Sequence, residues 1–261
     1  MHGFADSKKN DLSPHRSRYW LNAKIKDVAQ FALEVAKVCQ TYLAAAENAR
    51  NGIHTYSIDE KTGIQALERE APTIPMSPGK PERIETNYKR HGTINLFGNK
   101  NVATGTIAVP MFKETRTSED FAQNIDNLVA TDPTAGWIFV CDNLNTHMSV
   151  LLVLLVAKLC GIPLDTLGKE RKYGVLKSMK TRKAFLEDES HRIRFVYTPK
   201  HCSWLNQIEN WFSGLSRRIL QRGNFDSVET LQKKIENYIT FYNKTATPMK
   251  WKCKGLKMKS T

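Results

Sequence analysis

The chain of 261 residues is short of acid: 26 Asp and Glu stand against 39 Lys and Arg, a formal charge of +13. A deficit of that size points to a polyanionic partner, nucleic acid first, without saying which nucleic acid. Cysteine is sparse as well. The five (Cys39, Cys141, Cys160, Cys202 and Cys253) are odd in number, far apart and include no C-x-x-C pair. That argues against a disulfide framework and for reduced thiols in a cytosolic setting. The seven histidines show no metal-ligand spacing such as H-E-x-x-H, so a zinc site is not expected. Long apolar runs are missing too. The longest, Val150 to Cys160, is interrupted by Lys158 and too short to span a bilayer, and the N-terminus lacks the charged-then-apolar plan of a signal peptide. The expectation is therefore a cytoplasmic protein with no membrane partner.

What is present reads as one full-sized globular domain with polar ends. Residues 1 to about 20 form a polar, basic arm in which Arg16 and Arg18 could lie along a phosphate backbone. Asp27 to Ala49 has helical spacing and stops at Asn51-Gly52. Gly52 to Asp59 and Gly63 to Leu67 read as two strands around a turn at Glu60-Lys61-Thr62, which puts Asp59 at a strand end. The four-proline stretch APTIPMSPGKPER predicts an irregular surface loop. Arg90 to Asn99 and Thr104 to Met111 would complete a meander through a turn at Gly98 to Asn101, and Ser118 caps a helix running to Ala130.

Trp137 to Cys141 (WIFVC) is the continuous apolar run expected of a strand buried on both faces, and Asp142 follows it directly. A polar loop with Asn143, Asn145 and His147 leads to a helix from about Ser149 to Cys160, and a basic stretch, Lys169 to Lys183, to another near Leu176 to Leu186. Ile193 to Tyr197 alternates as a strand closed by Pro199. Ser203 reads as a helix cap, with Leu205, Ile208, Phe212, Leu215 and Ile219 forming an apolar stripe and Glu209 beside it. Trp204 and Trp211 are expected in the core rather than as base-stacking platforms. A last helix, Ser227 to Tyr242, precedes a basic tail.

A short meander followed by alternating helices and strands predicts an α/β domain: a mixed sheet with helices on both faces, its ligands at strand ends. Asp59, Asp142 and Glu209 could converge there. Three such carboxylates repel one another unless a cation lies between them, and hard divalent ions that keep positions for water and phosphate suit the set. Two ions about 4 Å apart would activate a water or a 3′-hydroxyl and steady the leaving oxygen of an in-line displacement.

The runs YSIDEKTGIQALERE, PGKPERIETNYKRHGT, WIFVCDNLNTH and YTPKHCSWLNQIENWF together resemble the catalytic domain of bacterial insertion-sequence transposases, in the mariner-like branch of the DDE superfamily. The resemblance covers roughly residues 12 to 255. It implies a ribonuclease H-like five-stranded mixed sheet over about 51–245, preceded by an arm and linker helix (1–50) and followed by a basic tail (246–261). It implies cut-and-paste transposition with Mg²⁺ or Mn²⁺, two ions held by Asp59, Asp142 and Glu209, on double-stranded DNA, by a homodimer near the bacterial nucleoid. Asn143 and His147 fit too, because the family's second acid is commonly followed by Asn and then by His. Two departures stand out. The gap between the second and third acids is about twice the 34 residues common in this branch, and the excess, about 164–192, is expected to be a DNA-contacting insertion. The helix-turn-helix part that reads element ends is not seen before Ser13, so the chain is expected to be a catalytic half. Further DNA contacts are expected at Lys61, Lys172, Lys177, Lys200 and His201. The competing expectations are a nuclease cutting RNA in a hybrid and a DNA-binding transposase remnant without catalysis.

Overall fold

A computed structural model describes residues 27–83 and 85–252. Its frame is a five-stranded sheet in the order β3-β2-β1-β4-β7, built from β1 (Ile53–Arg69), β2 (Tyr88–Asn101), β3 (Met111–Lys113), β4 (Gly136–Cys141) and β7 (Ile193–Tyr197). The first three strands are antiparallel neighbours, while β4 runs parallel to both β1 and β7. The mixed sheet expected from the sequence is thus present. A hairpin of two short strands, β5 (Gly168–Lys169) and β6 (Tyr173–Gly174), stands apart from it.

Alternation along the strands sorts the core into two layers. Tyr56, Ile58, Trp137, Phe139, Ile193 and Phe195 face one side, where α2 (Ser118–Val129), α3 (Val150–Leu159) and α4 (Met179–Leu186) cover them. Ile138, Val140 and Val196 face the other, beneath α1 (Val28–Arg50). Beside α1 on that side lie α5 (Gln207–Leu215) and α6 (Val228–Asn243), which bury Leu96, Ile64 and Ala66. Helices on both faces are therefore observed. Among the described residues no helix is long and apolar enough to cross a membrane.

Four local expectations need correction, the simplest being that Thr117 and not Ser118 caps α2, its hydroxyl accepting from the Asp120 amide. The chain does not turn at Glu60-Lys61-Thr62: β1 continues, and the extra residue is absorbed as a bulge between Lys61 and Ile64, where Gly63 takes φ 62°. Asp59 consequently lies within a long strand. It sits just past the last pair that β1 makes with β4, Ser57 with Val140. Likewise β2 runs through the expected turn at Gly98 to Asn101, and only Met111–Lys113 forms the strand β3. Finally, Ser203 opens a short 3-10 turn, and Asn206 takes the N-cap position of α5. The basic segment after Cys160 is anchored rather than detached, since Leu167, Leu176 and Leu186 are buried in the main core.

Candidate active site

Asp59, Asp142 and Glu209 line one open cleft of about 500 Å³, together with Asn143, Leu144, the segment Thr198 to Ser203 and its residues Lys200 and His201. Each acid arrives on a different element. Asp142 follows the buried strand β4, and Asp59 is held one strand over on β1. Glu209 comes from the first turn of α5, whose approach depends on a missing side chain. Gly98 is the cross-strand partner of Asp59, and a Cβ there would lie 2.7 Å from Phe212 Cζ and 3.2 Å from Ile208 Cγ1. Glycine at 98 is what lets this helix lie against the sheet beside Asp59.

The Asn206 side chain links the two. It does not cap its helix; its Nδ2 donates to Asp59 Oδ2 and to the Ile58 carbonyl, both at 3.0 Å. Ser57 Oγ donates to Asn206 Oδ1 and accepts from the Ile208 amide at 2.9 Å. The other oxygen of Asp59, Oδ1, accepts the Glu60 amide at 2.8 Å. Burial first, and then the neighbouring Asp142 carboxylate, push Asp59 from its ordinary 3.8 up to about 7, with smaller repulsion from Glu60 and Glu209.

Asp142 goes the opposite way. Burial works to raise it, but His147 and the Leu144 amide outweigh burial and hold it below its ordinary value. His147 is wholly buried between two carboxylates: Nδ1 is 2.8 Å from Asp142 Oδ1 and Nε2 is 3.0 Å from Glu60 Oε1. Both ring nitrogens must donate to satisfy these partners, which requires the imidazolium. Burial opposes that charge, yet the hydrogen bonds that the ring makes to Asp142, Cys141 and Glu60 prevail and lift the His147 pKa well above 6.5. Phe121 stacks on the ring at 4.0 Å, and Tyr197 donates to the His147 carbonyl. Helix α4 supports the adjoining loop: Lys183 Nζ donates to Asn143 Oδ1 at 3.0 Å, Arg182 Nε to the Met148 carbonyl at 2.7 Å, and Asn143 in turn donates to the Thr198 carbonyl.

Glu209 is exposed, and its carboxylate makes no hydrogen bond or ion pair among the described residues. Among those residues no three His, Cys, Asp or Glu side chains are gathered closely enough, as they stand, to hold a metal ion. The donor set nonetheless fits a hard cation: oxygen ligands only, uncompensated charge at Asp59, and an open side for water and phosphate. Lys200 and His201 line the cleft, and His201 takes φ 61° in its tight turn. Lys61, Lys172 and Lys177 do not line it, the last two being exposed near the β5-β6 hairpin. Arg16 and Arg18 lie outside the described residues. Trp211 is core as expected, but Trp204 is 55% exposed, because the 3-10 turn takes it off the helical stripe. Glu60 escaped the sequence reading, which placed it in a turn. Its signal was the alternation that puts it on the face opposite Asp59.

No curated protein matches the chain in sequence. Among solved structures it is similar to the Mos1 transposase paired-end complex with left transposon end, at 12% identity and a TM-score of 0.52 over 90% of this chain. It is equally similar to the Mos1 mariner paired end complex with Mn, at 13% identity, a TM-score of 0.52 and the same 90% coverage. The chain spans 61% of the length of these Mos1 chains, and the likeness is one of fold, the ribonuclease H-like sheet with its helices. An integrase core domain family matches residues 209–256. The DDE superfamily endonuclease family matches residues 54–232, a span that contains all three acids of the cleft, and the chain belongs to that family.

Proposed function

We propose that the chain is the catalytic domain of a DNA transposase that cuts phosphodiester bonds at element ends and joins them to target DNA. The observation that carries this reading is that Asp59, Asp142 and Glu209 line one open cleft, with Asp59 pushed to about 7 by burial and by the neighbouring Asp142 carboxylate. Asp59 and Asp142 would hold divalent metal from the sheet, and Glu209 would join them by turning its free side chain inward. Bound there, two Mg²⁺ or Mn²⁺ ions would supply an activated oxygen nucleophile and charge stabilisation for the leaving oxygen.

The chain's own residues set up that chemistry. His147 keeps Asp142 ionised and oriented, Asn206 holds one oxygen of Asp59, and Lys200 beside the acids would meet a phosphate entering the cleft. The manganese of one Mos1 complex supports the choice of metal, and the transposon end of the other supports the substrate. A homodimer acting on paired ends is the corresponding assembly.

The test is nicking of supercoiled plasmid with Mg²⁺, Mn²⁺ or EDTA, comparing wild type with Asp142→Asn. Metal-dependent nicking that the variant loses is the expected result. A wild type that shifts DNA at low salt yet never nicks it in either metal would refute catalysis and leave a DNA-binding derivative.

A further inference from the structure

A second cleft opens on the other side of α5. It has a volume of about 440 Å³ and is lined by Lys100, Asn210, Trp211, Arg217, Arg218 and the rings of Tyr238 and Tyr242, with Gly214 leaving room between them. Three cations line it and no carboxylate does. Lys100 is only 4% exposed on β2, and no carboxylate pairs with it among the described residues. Burial lowers its pKa to about 8, as expected of an ammonium held out of water without a counterion.

A second, independent observation points the same way. Trp211 is 3% exposed and its indole Nε1, a donor with no acceptor function, has no hydrogen-bond partner. An unmade bond at a buried donor costs about 1–3 kcal/mol, so a bond from this N–H to an incoming acceptor would be favourable, and Trp211 is one of the residues that line the cleft. The ring is locked in place by Tyr238 and Tyr242, at centroid distances of 6.1 and 6.2 Å. The two arginines stand where the helix changes its winding, and Arg217 Nε donates to the Ser213 carbonyl at 3.3 Å. Directly after α5 the helix widens into a π turn, Ser216–Leu220, closed by the Gln221 amide on the Ser216 carbonyl at 2.9 Å, and Arg217 and Arg218 stand on it. Such turns recur at functional sites because they redirect side chains off the regular helical row.

We propose that this cleft binds a phosphate group of the DNA backbone, taken by the Trp211 indole N–H and the Lys100, Arg217 and Arg218 cations. It rests on the reading of DNA as substrate and gives that substrate a second point of attachment. Glu209 and Asn210 are consecutive on α5 and line the first and second clefts respectively. A strand engaged at the acidic cleft is thereby gripped across the same helix by a phosphate a short way along.

The test is fluorescence polarisation of a labelled duplex with the full chain in EDTA at several salt concentrations. Arg217→Gln, an exposed position that leaves the core intact, is expected to weaken binding about threefold or more and to lower the salt slope by about one. Trp211→Phe keeps a ring and deletes the donor; its thermal melt separates lost binding from lost folding. Lys158→Gln, on the opposite face of the sheet, is the charge control. Variants that match the control in affinity and slope overturn the proposal. Inorganic phosphate without DNA probes the other source of the same chemistry. If it raises the wild-type melting temperature while the variants lose that rise and bind DNA unchanged, the ligand is free phosphate and the backbone assignment is overturned. Asp142→Asn retains this cleft and is expected to bind DNA through it without nicking, whereas a wild type that binds through the cleft and never nicks plasmid would defeat the catalytic reading and uphold this one.

Discussion

Replacing Asp59 by asparagine should abolish cleavage and yet make the metal-free protein relatively more stable as pH rises. Folded, Asp59 keeps its proton to about 7, whereas its ordinary value is 3.8. Between those values the folded state binds the extra proton, so wild-type stability falls as pH climbs from about 4 to about 7 and levels off above. About three units at about 1.4 kcal/mol each set a ceiling of about 4 kcal/mol. The cleft is open and the acid only partly buried, so roughly half, about 2 kcal/mol, is the working figure. Asparagine offers one acceptor where Asn206 and the Glu60 amide now find two, an offset of about 1 kcal/mol that does not vary with pH. The quantity to measure is therefore a difference of differences. From pH 4.5 to pH 8 in EDTA, the melting temperature of Asp59→Asn should gain about 4–8 °C on that of wild type. Mg²⁺ at pH 8 should close the gap by stabilising wild type alone. A gap that stays constant across pH would refute the assignment of Asp59 as an acid strained by its surroundings.

Gly98→Ala should cost about 1–3 kcal/mol through overpacking against Phe212 and Ile208, and should depress nicking further by moving Glu209; melts and the plasmid assay read the two effects. His147→Ala leaves the buried Glu60 carboxylate unpaired and should cost about 3 kcal/mol or more. Because the folded pKa of His147 is raised above its ordinary 6.5, its stabilisation is complete below that pH and lost as pH rises through the raised value. Wild type should therefore show an alkaline decline in melting temperature that His147→Ala lacks, in a window above the one belonging to Asp59.

Much of this site was legible because its signals are local. An unbroken WIFVC run states a strand buried on both faces, and Asp142 must then leave it at its end. The stripe of Ile208, Phe212 and Leu215 likewise fixes which face of α5 packs, and with it where Glu209 can stand. What stayed hidden depended on partners distant in sequence. A glycine after Lys61-Thr62 reads as a turn when nothing shows that β2 lies alongside to continue the ladder. Glu60 and His147 are 87 residues apart, and neither announces the other. Asn206 looks like an ordinary residue following a serine cap; its bonds to Ser57, Ile58 and Asp59 exist only once α5 has docked. Trp204 falls outside the core because what reads as a continuous helix is a 3-10 turn at that point.

The bulge at Thr62 and Gly63 makes β1 answer to two cores. Before it, Tyr56 and Ile58 dip beneath α2 and α3; after it, Ile64 and Ala66 dip beneath α5 and α6, although all four positions are even-numbered. Thr62 and Gly63 together fill the single place between the pairs Lys61–Leu96 and Ile64–Ile94, which is how a strand whose even positions face one core hands its even positions to the other. A one-codon deletion within the bulge would leave Ile64 opposite Ile94 and both layers filled, whereas a side chain at position 63 would meet the strain of φ 62°. Within these few codons the constraint should therefore fall on the glycine and not on the count.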